Sequence, residues 1–123
     1  VNLLVEKGYF VHAAVRDIKS KKHTHLVALK NVKLFEVSFD SQASFEAAFK
    51  GTAGVFHVAS PLFVEGKEAV QVAINGVLTV LKACVAVGIK KIILTSSISA
   101  IASNSGTWSK EHVYTEKDWL VTF

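Results

Sequence analysis

Three consecutive hydroxyls, Thr95, Ser96 and Ser97, follow the apolar run Ile92, Ile93, Leu94. A hydroxyl can donate a hydrogen bond to a reacting carbonyl or alcohol oxygen and stabilise the charge that develops there, provided a proton donor stands beside it. A second group has the chemistry of an anion site: Arg16, followed by Asp17 and then by Lys21 and Lys22. A guanidinium fork meets a phosphate through two parallel hydrogen bonds. An ordinary solvated basic loop has the same composition, so both readings stay open from these residues alone. Asp40, next to Ser41, suits a carboxylate that accepts from an amino group and equally a plain turn residue. His57 lies in an apolar run, where a histidine is more often packed than catalytic. The five histidines and one cysteine show no metal-ligand spacing. There is no nucleophile elbow and no Walker loop.

The elements that would carry these residues alternate between two periods. Val1 to Lys7 reads as the end of a helix closed by Gly8, and Tyr9 to Val15 as a strand whose tip carries Arg16 and Asp17. Lys19 to Leu29 has helical character, and Val32 to Val37 reads as a second strand with Asp40 beyond it. Ser44 to Phe49 reads as a short helix with Ser44 as its N-cap and Phe45, Ala48 and Phe49 on one face. Gly51 and Gly54 break the chain before a third strand, Val55 to Ala59, stopped by Ser60 and Pro61. A long apolar helix over Ala69 to Val87 closes at Gly88 and leads into the strand before the hydroxyls. Ile98 to Ala102 reads as a turn, Ser103 to Gly106 as a loop, and Trp108 to Phe123 shows no clear element.

Such alternation builds a doubly wound parallel sheet with right-handed crossovers. The 123 residues, half of them hydrophobic and 20% charged, suffice for one domain spanning 1–123. The net charge of +4 is mild and much of it is local, which suits a phosphate better than a nucleic-acid backbone. Gln71, Asn75, Thr79 and Lys82 form a polar stripe on the long helix. A membrane span of about 20 residues would lack such a stripe, so a soluble helix and no membrane partner are expected. Its wide apolar surface also suits a subunit contact, hence a homo-oligomer. Cys84, alone, forms no internal disulfide and fits a reducing, cytoplasmic compartment. Because the chain starts at Val1 and not at Met, a missing N-terminus is expected.

In doubly wound sheets ligands bind beyond the carboxyl ends of the strands. In a dinucleotide site the tip of the first visible strand faces the adenosine ribose, where an acid favours the 2′-hydroxyl of NAD and an arginine the 2′-phosphate of NADP. Arg16 argues for NADP and Asp17 for NAD. The small residues Val58, Ala59 and Ser60 end the third strand and let a ligand approach the backbone.

Together these residues resemble a family. The runs Val11 to Asp17, Gly54 to Pro61 and Ile92 to Ser97, with Ser44 to Gly51 and Asn75 to Lys82, are similar to the extended short-chain dehydrogenase/reductases. The subgroup is that of dihydroflavonol 4-reductase, cinnamoyl-CoA reductase and related NADPH-dependent carbonyl reductases. The resemblance implies a Rossmann-type fold and an internal fragment of a longer reductase. It implies that Arg16 and Lys22 hold the 2′-phosphate of NADP, that Asp40 holds the adenine amino group, and that Val58, Ala59 and Ser60 line the ribose and nicotinamide side. Ser97 matches the active-site serine, and Thr95 and Ser96 lie against the nicotinamide. The implied reaction is hydride transfer between NADPH and a small-molecule carbonyl.

The departures are specific. The family's first strand and its glycine-rich turn have no counterpart in the chain. In a sheet of order 3-2-1-4-5 the visible strands are then two to five, and strands two and four lack the partner between them. Tyr114 has Asp118 where the family's catalytic tyrosine has a lysine, so Tyr114 is not that tyrosine. Ala102 stands where the flavonoid reductases carry a substrate-binding asparagine. Two other readings remain: a nucleotide-sugar epimerase/dehydratase or hydroxysteroid dehydrogenase on the same fold, and a non-catalytic dinucleotide-binding regulator. A tyrosine-lysine pair in the full-length sequence separates an enzyme from a regulator.

Overall fold

The computed structural model describes residues 1–60, 67–101 and 111–119, which fall into two compact units, Val1–Ile93 and Leu94–Phe123. The first unit begins with helix α1 (Asn2–Glu6) and strand β1 (Val11–Val15). Gly8, at φ +84°, ends α1. Its N–H reaches the Val5 carbonyl at 2.9 Å while Tyr9 N–H reaches Leu4 at 3.0 Å, a closure that needs the left-handed backbone glycine adopts without penalty. A 3₁₀ turn (Lys21–His23) and a one-turn helix α2 (Thr24–Val27) replace the longer helix expected over Lys19 to Leu29. Strand β2 (Val32–Glu36) then pairs in parallel with β1, Val11 against Val32 through Val15 against Glu36.

Helix α3 (Gln42–Phe49) starts earlier than its apolar face predicts. Its N-cap is Ser41, not Ser44: Ser41 is extended and its hydroxyl accepts from Ser44 N–H at 3.3 Å. The Ser44 hydroxyl instead donates back to the Ser41 carbonyl at 2.7 Å. Strand β3 (Val55–His57) is shorter than expected, so Val58, Ala59 and Ser60 lie beyond the pairing. Pro61 lies outside the described residues.

Helix α4 (Lys67–Ala86) is the long crossover to strand β4 (Ile92–Leu94), which pairs with β3. It ends as α1 does, with Gly88 at φ +77° and Ile89 N–H on the Cys84 carbonyl at 2.8 Å. Along α4, Gly76, Val80, Ala83 and Cys84 are buried, in one i, i+4, i+7, i+8 row. The row packs against Phe45, Ala48 and Phe49 of α3, with Val37 and Val55 completing the core. Ala48, Ala83 and Cys84 are small enough to bring the two helices close. The polar stripe is real: Gln71 donates to Asn75 Oδ1 at 2.9 Å and Thr79 Oγ1 to the Asn75 carbonyl at 2.9 Å. Glu68–Ala86 is long and apolar enough to cross a membrane, with mean hydropathy 1.7. The buried row on α3 is the packing a layer helix of an α/β fold makes.

The strands form two separate two-stranded sheets, β1–β2 and β3–β4. Strand sequence order alone would allow one continuous sheet. The break falls where an order 3-2-1-4-5 without strand one places it, between the second and fourth strands of that order. Both pairs contribute to one core through α3 and α4. Phe56 and Ile93 remain more than half exposed on the face that core does not cover.

In the second unit, Thr95, Ser96 and Ser97 follow β4 and are exposed. A 3₁₀ turn (Ile98–Ala100) comes next, with Ala100 N–H on the Ser97 carbonyl at 2.9 Å. Ala102, the loop Ser103 to Gly106 and Trp108 lie outside the described residues. A last 3₁₀ turn (Glu116–Asp118) is closed by a capping box in which the Thr115 hydroxyl and the Asp118 carboxylate bond each other's backbone N–H or that of a neighbour.

Candidate functional site

Arg16 is the first residue past β1 and is exposed. It forms no ion pair among the described residues. The turn after it is held by short local bonds: Asp17 Oδ1 accepts Lys19 N–H at 2.8 Å, and the Asp17 carbonyl accepts Ser20 N–H at 3.2 Å. The Ser20 hydroxyl then accepts Lys22 N–H at 3.4 Å and starts the 3₁₀ turn that carries Lys22. Arg16 and Lys22 thus stand at the two ends of one turn, both exposed. One Asp17 oxygen is committed to the turn itself, which weakens its case as a ribose acceptor. Glu36, which sequence reasoning passed over, reaches across from β2: its Oε2 accepts Ile18 N–H at 3.2 Å. No sequence signal singled it out, because the register that sets Glu36 opposite Val15 is fixed only by the pairing of β1 with β2.

Asp40 sits four residues past the end of β2 and is exposed. Ser38 is tied to it twice, donating its hydroxyl to Asp40 Oδ2 at 3.5 Å and accepting Asp40 N–H at 3.3 Å. Asp40 is therefore a turn residue whose carboxylate still has acceptor capacity. Val58, Ala59 and Ser60 are exposed just beyond β3. His57, immediately before them, is 6% exposed, and its Nε2 has no partner among the described residues. Burial pushes its pKa down, so it is a neutral core group beside the Phe39 ring, 6.2 Å away between centroids.

The first unit therefore brings Arg16, Lys22, Asp40, Val58, Ala59 and Ser60 to the carboxyl ends of β1, β2 and β3, and the second unit presents Thr95, Ser96 and Ser97 past β4. In that unit Asp118 is not a substitute for a catalytic lysine. Its carboxyl is held below the usual range by Thr115 N–H first and by His112, whose Nε2 lies 2.7 Å from Oδ1. His112 packs edge-on against Tyr114. No cluster of three metal-ligating side chains occurs among the described residues. A shallow groove of about 400 Å³ on the outer side of α4, lined by Leu78, Leu81, Lys82 and Val85 with Gln42, contains none of the candidate residues.

Comparison with known proteins sets this arrangement in a family. The family model described as 3-beta hydroxysteroid dehydrogenase/isomerase matches residues 1–119. The chain belongs to that family. The chain is 39% identical to a dihydroflavonol 4-reductase of Gerbera hybrida over 126 residues, covering 94% of this chain and 34% of the relative. It is 39% identical to a (2S)-flavan-3-ol-forming anthocyanidin reductase of Vitis vinifera, covering 97% of this chain and 38% of the relative. The chain thus spans little more than a third of the length of these curated relatives. Among solved structures, vestitone reductase from alfalfa superposes with a TM-score of 0.72 at 32% identity, covering 95% of this chain and 36% of that one. A UDP-glucose 4-epimerase from Bifidobacterium longum, at 21% identity and TM-score 0.66 over 93% of this chain and 38% of that chain, shares the fold. The resemblance to dihydroflavonol 4-reductase-like proteins and the Rossmann-type fold class are both borne out.

Proposed function

We propose that the protein is an NADP-dependent reductase of small-molecule carbonyl compounds, acting in the cytoplasm. The observation that carries the cofactor is Arg16, an exposed guanidinium without an ion-pair partner among the described residues, placed at the carboxyl end of β1 with Lys22 across the turn. A planar fork and an ammonium fit a 2′-phosphate. The dinucleotide supplies the hydride. Arg16 and Lys22 bind its 2′-phosphate, Asp40 accepts from the adenine amino group, and Val58, Ala59 and Ser60 let the backbone approach the ribose. Thr95 and Ser96 border the nicotinamide. The Ser97 hydroxyl donates a hydrogen bond to the substrate oxygen and orients it. Among the described residues neither Tyr9 nor Tyr114 has a lysine four positions on, so the proton donor lies outside them.

The reductase names of the relatives support this reading over the others. The description of the matching family favours a second, a hydroxysteroid dehydrogenase on the same fold. Fluorescence titration of the full-length protein with NADPH and NADH tests the cofactor assignment. Arg16→Ala should weaken NADPH binding about ten- to a hundredfold, as a lost charge-assisted pair does, and leave NADH nearly unchanged. Equal losses for both cofactors would overturn it. Assays with an aldehyde and with a 3-hydroxysteroid separate the two reactions.

A further inference from the structure

We infer that Glu36 is a positioning residue for adenosine 2′-phosphate recognition, acting from the second strand on the turn that carries Arg16. The inference rests on the reading of Arg16 and Lys22 as the phosphate anchors. Three features of the structure support it. The parallel register places Glu36 opposite Val15, the last residue of β1, so its side chain leaves the sheet beside the point where Arg16 begins the turn. Its Oε2 accepts the N–H of Ile18, two residues past Arg16, at 3.2 Å. The other bonds of the turn are internal: Lys19 N–H to Asp17, Ser20 N–H to Asp17 and Lys22 N–H to Ser20. Such bonds set the shape of the turn, and α2, which continues it, packs on β2 and holds its far end. The Glu36 bond ties the near end of the turn, two residues past Arg16, to β2 and sets the direction in which that end leaves β1.

The two ends of the turn carry the two cations. A rotation of the turn about the end of β1 displaces Lys22 relative to Arg16, and a bidentate phosphate contact tolerates little displacement. Glu36 also brings a negative charge to a phosphate site. Its bond to Ile18 N–H occupies one carboxylate oxygen, and Glu36→Gln, which removes the charge and keeps an acceptor, reads the electrostatic effect separately.

The test is isothermal titration of the full-length protein with adenosine 2′,5′-bisphosphate and with 5′-AMP, in wild type, Glu36→Ala and Glu36→Gln. Glutamine retains an acceptor of the same reach, so rescue by it isolates the hydrogen bond. Glu36→Ala should lower the preference for the bisphosphate over 5′-AMP about three- to tenfold, the size of one ordinary hydrogen bond, and Glu36→Gln should keep or exceed the wild-type preference. A merely structural role would weaken both ligands together. An unchanged preference in Glu36→Ala, or an equal fall in Glu36→Gln, overturns the inference while leaving the phosphate site standing. Wild type that binds both ligands alike overturns the inference together with the phosphate reading beneath it.

Discussion

Gly54→Ala tests the contact that joins β3 to β4. Gly54 immediately precedes β3 and lies against Lys91, the residue before β4. A Cβ at Gly54 would stand 3.0 Å from the Lys91 carbonyl oxygen and 3.3 Å from the Lys91 Cβ. That oxygen belongs to the backbone and accepts Val55 N–H at 2.9 Å, so it cannot swing aside without loosening the strand pair. Overpacking against an unyielding neighbour costs about 1–3 kcal/mol. A weakened ladder bond adds about 1 kcal/mol, and the stiffer unfolded chain returns about 0.4–1 kcal/mol. The net expectation is a loss of about 1–3.5 kcal/mol. Gly76→Ala is the control. Its Cβ would meet the Phe39 ring at 3.3 Å, but that ring is a half-buried side chain able to shift by a few tenths of an ångström. Alanine inside α4 gains about 0.8–1 kcal/mol of helix propensity. The two effects nearly cancel, leaving stability within about 1 kcal/mol of wild type. Urea unfolding of both variants, with the slope checked for two-state behaviour, measures the difference. If Gly54→Ala proves no more destabilising than Gly76→Ala, the close approach of Gly54 to Lys91 does not constrain the strand pair as argued.

Ser97→Ala in the full-length protein should lower kcat with NADPH affinity nearly unchanged; the same effect in Ser96→Ala and not in Ser97→Ala would assign the role to the neighbouring serine. Burial holds the folded-state pKa of His57 below the ordinary 6.5, so the unfolded chain takes up a proton that the folded one refuses. Stability should therefore fall as pH drops through that ordinary value and go on falling until the folded pKa is passed, and His57→Leu should flatten this decline between about pH 7.5 and 5.5. Denaturant midpoints at the two pH values decide it, an unchanged decline in the variant being the contrary result. Residues 1–123 alone should bind NADPH very weakly and self-associate, because among the described residues β1 and β3 each pair with one strand only and leave an open edge. A monodisperse monomer in light scattering, with micromolar NADPH affinity, would contradict this.

Much of the fold was legible because burial imposes its period on the sequence. The apolar row of α4 and its polar stripe are spaced as a helix requires, and Gly8 and Gly88 mark helix ends because the closing turn needs a positive φ. Boundaries were less legible. Ser41 and Ser44 are chemically equivalent, and only the backbone decides that Ser41 is the cap while Ser44 bonds backwards. Val58 and Ala59 are as strand-like as Val55, yet the pairing with β4 stops at His57. Candidate site residues were found from their types at strand ends, since the carboxyl ends of parallel strands are where ligands gather. What sequence could not show is through-space pairing. The bond from Glu36 to Ile18 depends on the register of β2 against β1, and the burial of His57, whose Nε2 has no partner among the described residues, on a fold that brings the Phe39 ring beside it. The split into β1–β2 and β3–β4 is likewise a tertiary fact, because hydrogen bonds between strands are made by backbone groups that every residue type supplies.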